Sequence, residues 1–191
     1  MPVGLTMEAD VPLEHSSSPA ALPSDVLAYV AGFFDGEGCV NFTTRGKYKS
    51  LLLRVMVRNT DRAVIDYLQS LFGGRIETKM AYPGKPHWKT SYCWRIDGAK
   101  AVEFLLAIEP WVRIKREQIW VAQAWEFARN KKSGSRMDDG YRDAMRLLTQ
   151  QLAWLNRKGK RRPDDRNPVE ACVEAMGVPL EQIWAEVGTC H

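Results

Sequence analysis

Apolar residues recur at helical spacing where the patterned part of the chain begins. Val26, Leu27, Tyr29, Val30, Phe33 and Phe34 follow Pro23 and two good N-cap residues, Ser24 and Asp25, so a helix is expected from Ser24. Over residues 39–44 the pattern changes to alternation, and Arg45-Gly46 offers a turn into a second strand over 47–59. There Leu51, Leu53, Val55 and Val57 point one way, while Tyr48, Ser50, Leu52, Arg54, Met56 and Arg58 point the other. Thr60 can cap a helix over 61–72, with Val64, Ile65, Leu68 and Leu71 on one side and Gly73-Gly74 as its stop. A second hairpin is expected from strands over 75–81 and 89–97. Its long loop contains Tyr82, Pro83, Lys85, Pro86 and Trp88, and it has the reach to run along a bound duplex. A helix over 98–109 stops at Pro110, and Met145, Leu148, Leu152 and Leu155 mark one over 141–156. The class is α+β, in the order αββαββα with additional C-terminal helices.

The first helix is chemically unusual. Ala28, Gly32 and Gly36 fall four apart, so one face carries almost no side chain and a partner helix can approach backbone to backbone. Glycine destabilises a helix by roughly 1 kcal/mol relative to alanine, and two of them call for a return such as tight contact. Asp35 and Glu37 occupy the last turn, where the negative end of the helix dipole disfavours carboxylates. A cation is expected there. From the acids alone two readings stay open, a glycine-terminated helix with solvated carboxylates and a divalent-metal site. An EF-hand loop fits badly, because Asp-Gly-Glu-Gly lacks the alternating third acid and the bidentate Glu at position twelve.

The whole nonapeptide Val30–Gly38, VAGFFDGEG, resembles the LAGLIDADG motif of homing endonucleases. It matches at Ala31, Gly32, Asp35 and Gly38, with Glu37 in the position of the acid that binds the catalytic metal. It departs at Val30, Phe33, Phe34 and Gly36. The predicted αββαββα order over 24–110 agrees with that family, and the segment Trp111-Val112-Arg113-Ile114-Lys115-Arg116-Glu117-Gln118 looks like its lead into a long helix. With a single motif in the chain, the resemblance implies a homodimer whose helices face each other through Ala28, Ala31, Gly32, Asp35 and Gly36. It implies a site-specific double-strand DNA endonuclease acting on a long pseudo-palindromic site. Mg²⁺ is the implied cofactor, with Mn²⁺ substituting and Ca²⁺ supporting binding only. Glu37 and the Gly36 carbonyl become the implied metal ligands, Lys115 the lysine near the scissile phosphate, and Arg62 and Arg58 the residues around the active-site water. Asp35 is expected to support the helix pair rather than bind metal. Two other readings stay open, an RNA-binding intron maturase and a DNA-binding regulator without cleavage; keeping both Glu37 and Lys115 argues against the second.

Charge sharpens the choice of partner. The net charge is only +4, yet the basic residues cluster, which favours nucleic acid. A two-stranded ribbon fits the major groove, where Arg and Lys are the commonest guanine readers. The expected DNA contacts on the first hairpin are Asn41, Thr43, Arg45, Lys47, Tyr48, Ser50, Arg54, Met56 and Arg58. Arg75, Lys79, Lys85, Lys89 and Arg95 extend them onto the second. Arg54 taken alone reads more readily as a solvating side chain on an exposed strand face. Lys160, Arg161 and Arg162, in the run after the last helix, suit backbone phosphates.

At 191 residues, 45% hydrophobic and with seven Trp, the chain can bury one core. The expected division is a disordered tail over 1–22, an endonuclease domain over 23–166 and a helical extension over 167–191. Cys39, Cys93, Cys172 and Cys190 show no CxxC spacing and His15, His87 and His191 are scattered, so neither zinc nor a disulfide framework is indicated. No apolar run reaches membrane-spanning length and no signal-peptide core is present, so a soluble intracellular protein is expected.

Overall fold

A computed structural model describes residues 22–46, 50–80, 89–131, 139–157 and 174. Its elements are α1 (Ser24–Glu37), β1 (Gly38–Arg45), β2 (Ser50–Asn59), α2 (Arg62–Phe72), β3 (Arg75–Lys79), β4 (Ser91–Asp97), α3 (Ala99–Ile108), a 3₁₀ turn (Glu109–Trp111), α4 (Arg116–Lys131) and α5 (Asp139–Leu155). The expected αββαββα order with further C-terminal helices is what the chain forms. The four strands make one antiparallel sheet in the order β1-β2-β4-β3.

One face of the sheet carries the core. Leu53, Val55 and Val57 of β2 and Trp94 and Ile96 of β4 are buried beneath α1, α2 and α3. The aromatic centre is Phe104 of α3, whose ring meets Phe34 at 5.6 Å, Phe72 at 4.8 Å and Trp94 at 5.1 Å between centroids, all edge to face. Such pairs are worth about 0.5–1.5 kcal/mol beyond the area they bury. The Trp94 indole N–H, stranded inside this cluster, donates to the Gly73 carbonyl at 2.7 Å, which ties the α2–β3 turn to the sheet. Gly74 completes that turn at φ +90°, with a Cβ position already occupied by Ile96 and the Arg95 carbonyl. No other residue type satisfies both constraints.

Several helix ends differ from expectation. Pro23 precedes α1 without any side-chain cap, so Ser24 and Asp25 lie inside the helix rather than capping it. At α2 the cap is Asp61, not Thr60: its carboxylate accepts from the Ala63 N–H at 2.8 Å, the stronger acceptor at a positive helix end. The last helix starts earlier, at Asp139. Behind α3 lies α4, buried along most of its length, and α5 packs on α4. At the end of α5, Asn156 Nδ2 donates to the Val40 carbonyl at 2.8 Å, covering part of the edge strand β1. The 82–88 loop, most of the 157–162 basic run and the 167–191 extension apart from residue 174 lie outside the described residues, as does the 1–21 tail. No helix among the described residues is long and apolar enough to cross a membrane.

Candidate active corner and nucleic-acid interface

Every feature of the corner at the C-terminal end of α1 follows from how that helix is buried. Leu27, Val30, Ala31, Phe34 and Asp35 face inward, while Tyr29, Gly32, Gly36 and Glu37 are exposed. A Cβ at Gly32 or Gly36 would meet nothing within 4 Å. The bare outward face predicted from Ala28, Gly32 and Gly36 is therefore present, and Tyr29 extends it by stacking on Phe33 and meeting Tyr67 of α2. Ala31 and Asp35, expected on the same face, are not there. Ala31 is fully buried in the chain's own core, because it sits one position round the helix from Gly32.

Asp35 is turned inward for a specific reason. Its carboxylate accepts from the backbone N–H groups of Arg113 (2.7 Å), Ile114 (3.2 Å) and Lys115 (3.0 Å). These donors precede the first turn of α4, a site where backbone N–H groups lack helical partners and a carboxylate is favoured. The acid that looks misplaced at the end of α1 is thus well placed for α4. Lys115 completes the exchange: its ammonium donates to the Asp35 carbonyl and lies 5.9 Å from the centroid of the Phe34 ring. The cation expected at the negative end of α1 is supplied by the chain itself. Burial pushes the Cys39 thiol up from its ordinary range, and the Lys115 ammonium pulls it partly back.

Gly38 closes the corner. Its N–H donates to the Phe34 carbonyl, and a Cβ there would fall inside van der Waals contact of both the Phe34 ring and that carbonyl oxygen. The last glycine of the nonapeptide is therefore a packing requirement. Glu37, next to it, projects into solvent and has no hydrogen-bond or ion-pair partner among the described residues. Val57 of β2 pairs with Gly38, so Arg58, exposed and next in sequence, emerges at the same corner. Arg62 opens α2. Its guanidinium pairs with Asp66 at 2.7 Å and lies 5.2 Å from the Tyr92 ring centroid. Tyr92 shares its side of β4 with buried Trp94, so Arg62 lies on the helix-covered side of the sheet, the side that α1 also covers. The i,i+4 spacing of Arg62 and Asp66 was the readable signal for this.

The opposite face of the sheet is open. Register places Asn41, Arg54 and Asp97 in one row and Cys39, Met56, Arg95 and Arg75 in the next; Thr43 and Leu52 lie beyond. Arg75, Lys79 and Lys89 are exposed, and Thr43, Arg54, Arg75, Arg95 and Lys100 line a groove of about 500 Å³. Two of the expected DNA-contacting cations already have partners. Arg54 makes a two-bonded pair with Asp97, and Arg95 Nη1 contacts Glu77. The Asp97 bonds hold the Arg54 guanidinium above its ordinary pKa. Sequence reasoning singled out neither Asp97 nor Glu77, although both lie on the open face by strand alternation. Of the remaining expected contacts, Lys47, Tyr48, Lys85, Lys160, Arg161 and Arg162 lie outside the described residues, as do the side chains of Arg45 and Ser50.

No family model matches the chain, and no curated protein matches it. Solved structures do. The homing endonuclease I-CvuI, in complex with the I-CreI target in the presence of Mg with its DNA not cleaved, aligns at TM-score 0.55 and 20% identity over 81% of this chain and 96% of that one. The archaeal intron-encoded homing endonuclease I-Vdi141I, complexed with DNA, aligns at TM-score 0.56 and 17% identity over 80% and 95%. Both are matched over nearly their whole length. The fold is that of the LAGLIDADG homing endonucleases. Within this fold the nonapeptide is the end of α1, Glu37 its exposed acid and Lys115 the residue that docks on it. Among the described residues there is no cluster of three metal-binding side chains. The Glu37 carboxylate lies beside the carbonyl end of α1, where the last carbonyls lack helical partners.

Proposed function

We propose that the chain is a divalent-metal-dependent, site-specific endonuclease that cuts double-stranded DNA as a homodimer. The observation that carries this reading is the exposed Glu37, without a partner among the described residues, at the end of a helix whose outward face is bare. Two such faces laid together bring two Glu37 carboxylates to one axis. Glu37 and the Gly36 carbonyl of each copy would hold the metal, oxygen ligands of the kind that Mg²⁺ takes. When bound, such an ion supplies an activated water and relief of phosphate charge.

The remaining roles belong to the chain's own residues. Lys115, fixed by the Asp35 carbonyl and the Phe34 ring, sets a positive charge at the corner where a scissile phosphate would lie, and charge placed there in advance needs no reorganisation during reaction. Arg58 adds a second cation at that edge. The open sheet face supplies binding, with Asn41, Thr43, Arg54, Met56, Arg75, Lys79, Lys89 and Arg95 toward the duplex and the 160–162 run toward backbone phosphates.

The test is selection of cleaved sites from a random plasmid library, with Mg²⁺, with Ca²⁺ and with EDTA. A pseudo-palindromic target cut only with Mg²⁺ is expected, because two identical chains present the same reading face to each half-site. A target without half-site similarity contradicts the symmetric dimer, and cleavage undiminished in EDTA contradicts the metal.

A further inference from the structure

The geometry of Arg54 and Asp97 on the open sheet face carries a more specific statement. Arg54 lies on β2, an interior strand, directly opposite Asp97 of β4 in the register. Its Nε donates to Asp97 Oδ1 at 2.7 Å and its Nη2 to Oδ2 at 3.1 Å. The side chains are 22% and 32% exposed, and the guanidinium opens onto the groove shared with Thr43, Arg75 and Lys100.

A guanidinium has five N–H donors in a planar fork. Asp97 takes the lateral edge, Nε–H and one Nη2–H. The terminal edge, one N–H from each of Nη1 and Nη2, stays directed away from the carboxylate. Two parallel donors on that edge match the O6 and N7 acceptors of guanine in the major groove. Phosphate is the poorer partner for the same edge. The pair as a whole is neutral, so it releases few counterions, and the Asp97 carboxylate repels an anion while leaving a neutral base edge untouched. Arg95 differs: Glu77 contacts its Nη1, one of the two nitrogens of the edge that Arg54 leaves open.

We propose that Arg54 reads one guanine in each half-site of the bound duplex, and that Asp97 is the positioning residue that fixes the plane of its guanidinium for that contact. This rests on the reading of the sheet face as a DNA-binding surface. Bidentate readout discriminates between bases by about 5- to 150-fold. Without Asp97 the side chain keeps its charge but samples other rotamers and reaches neighbouring phosphates.

The experiment is selection of bound duplexes from a random library in Ca²⁺ by the full chain, for wild type, Arg54→Lys, Asp97→Asn and Arg54→Ala. Wild type is expected to enrich a guanine at one symmetric position. Arg54→Lys keeps the charge and loses the fork, so it should drop that preference to under about threefold with overall affinity kept. Asp97→Asn should do the same while the preferences at other positions persist; a purely structural Asp97 would instead weaken all positions alike. If Asp97→Asn does not fold, Arg54→Lys and Arg54→Ala still decide the readout. Unchanged base preference in either Arg54 variant, or a uniform affinity loss with an altered salt slope, overturns guanine reading. A guanine preference that survives in folded Asp97→Asn overturns the positioning role. Wild type that enriches no sequence refutes the DNA-binding reading itself.

Discussion

The corner at the end of α1 and the open face of the sheet are built from different materials. The corner is held largely through main-chain groups: the Asp35 carboxylate on three backbone N–H groups 78 to 80 residues downstream, Lys115 on a backbone carbonyl, and Gly38 under Phe34. The open face is held by side chains on side chains, Arg54 on Asp97 and Arg95 beside Glu77. Main-chain anchoring fixes positions whatever the neighbouring side chains are, which suits a group that must meet any phosphate. Side-chain pairing can be rewritten residue by residue without disturbing the strands, which suits a surface that must suit one sequence. The difference teaches where substitutions should be severe and where they should only redirect.

Breaking the corner from inside should have the largest consequences. Asp35→Ala strips the acceptor from three backbone donors, and unsatisfied donors cost about 1–3 kcal/mol each where water does not replace the acceptor. A loss of about 2–4 kcal/mol in urea denaturation, with the slope unchanged, is expected together with loss of cleavage. A shift below about 0.5 kcal/mol would show that the 113–115 segment holds itself. Lys115→Met should leave the fold and DNA affinity nearly intact and slow cleavage by about 100- to 1,000-fold, the usual effect of removing one preplaced donor. Equal loss of affinity and rate would make Lys115 a binding residue instead.

Smaller effects should follow on the surfaces. Gly32→Leu fills a position that is open in one chain but meets a second backbone in the proposed dimer. It should shift sedimentation toward monomer, with overpacking of about 1–3 kcal/mol; an unaltered dimer would place the interface elsewhere. Smallest is the basic run. Replacing Lys160, Arg161 and Arg162 by Ala should reduce the log–log salt slope of binding by roughly 0.9 per lost phosphate contact. An unchanged slope and affinity would leave that run merely solvated.

Periodicity was enough to read the strand and helix order, because each element buries one face on a single core. Leu53, Val55 and Val57 alternate in the chain and are buried in the fold. The bare α1 face was legible for the same reason, since Ala28, Gly32 and Gly36 share one side of a helix. What remained hidden were the long-range partners. Asp35 looked badly placed at a helix end, and that misfit was itself the clue, but only the folded chain brings the N–H groups of 113–115 to it. Arg54 and Arg95 were visible as exposed cations, while Asp97 and Glu77 become their partners only through the register of β2, β4 and β3. Arg62 was set beside the active site by resemblance; of its partners, Asp66 was legible from spacing, while Tyr92 shows only in the folded chain.

The central claim is that the corner cuts and the face binds, and Glu37→Gln separates them. The amide keeps the shape and one carbonyl oxygen, yet loses the charge that would hold a divalent cation beside a phosphate. Glu37 is exposed and has no partner within the described chain, so its replacement should not disturb the fold. The measurement is a gel-shift titration in Ca²⁺ and in EDTA beside a cleavage assay in Mg²⁺, on one duplex, for wild type and mutant. Cleavage should vanish while specific binding in EDTA stays equal or tightens, because two carboxylates no longer face the DNA backbone. Cleavage at the wild-type rate, or loss of binding and folding together with cleavage, would contradict the account.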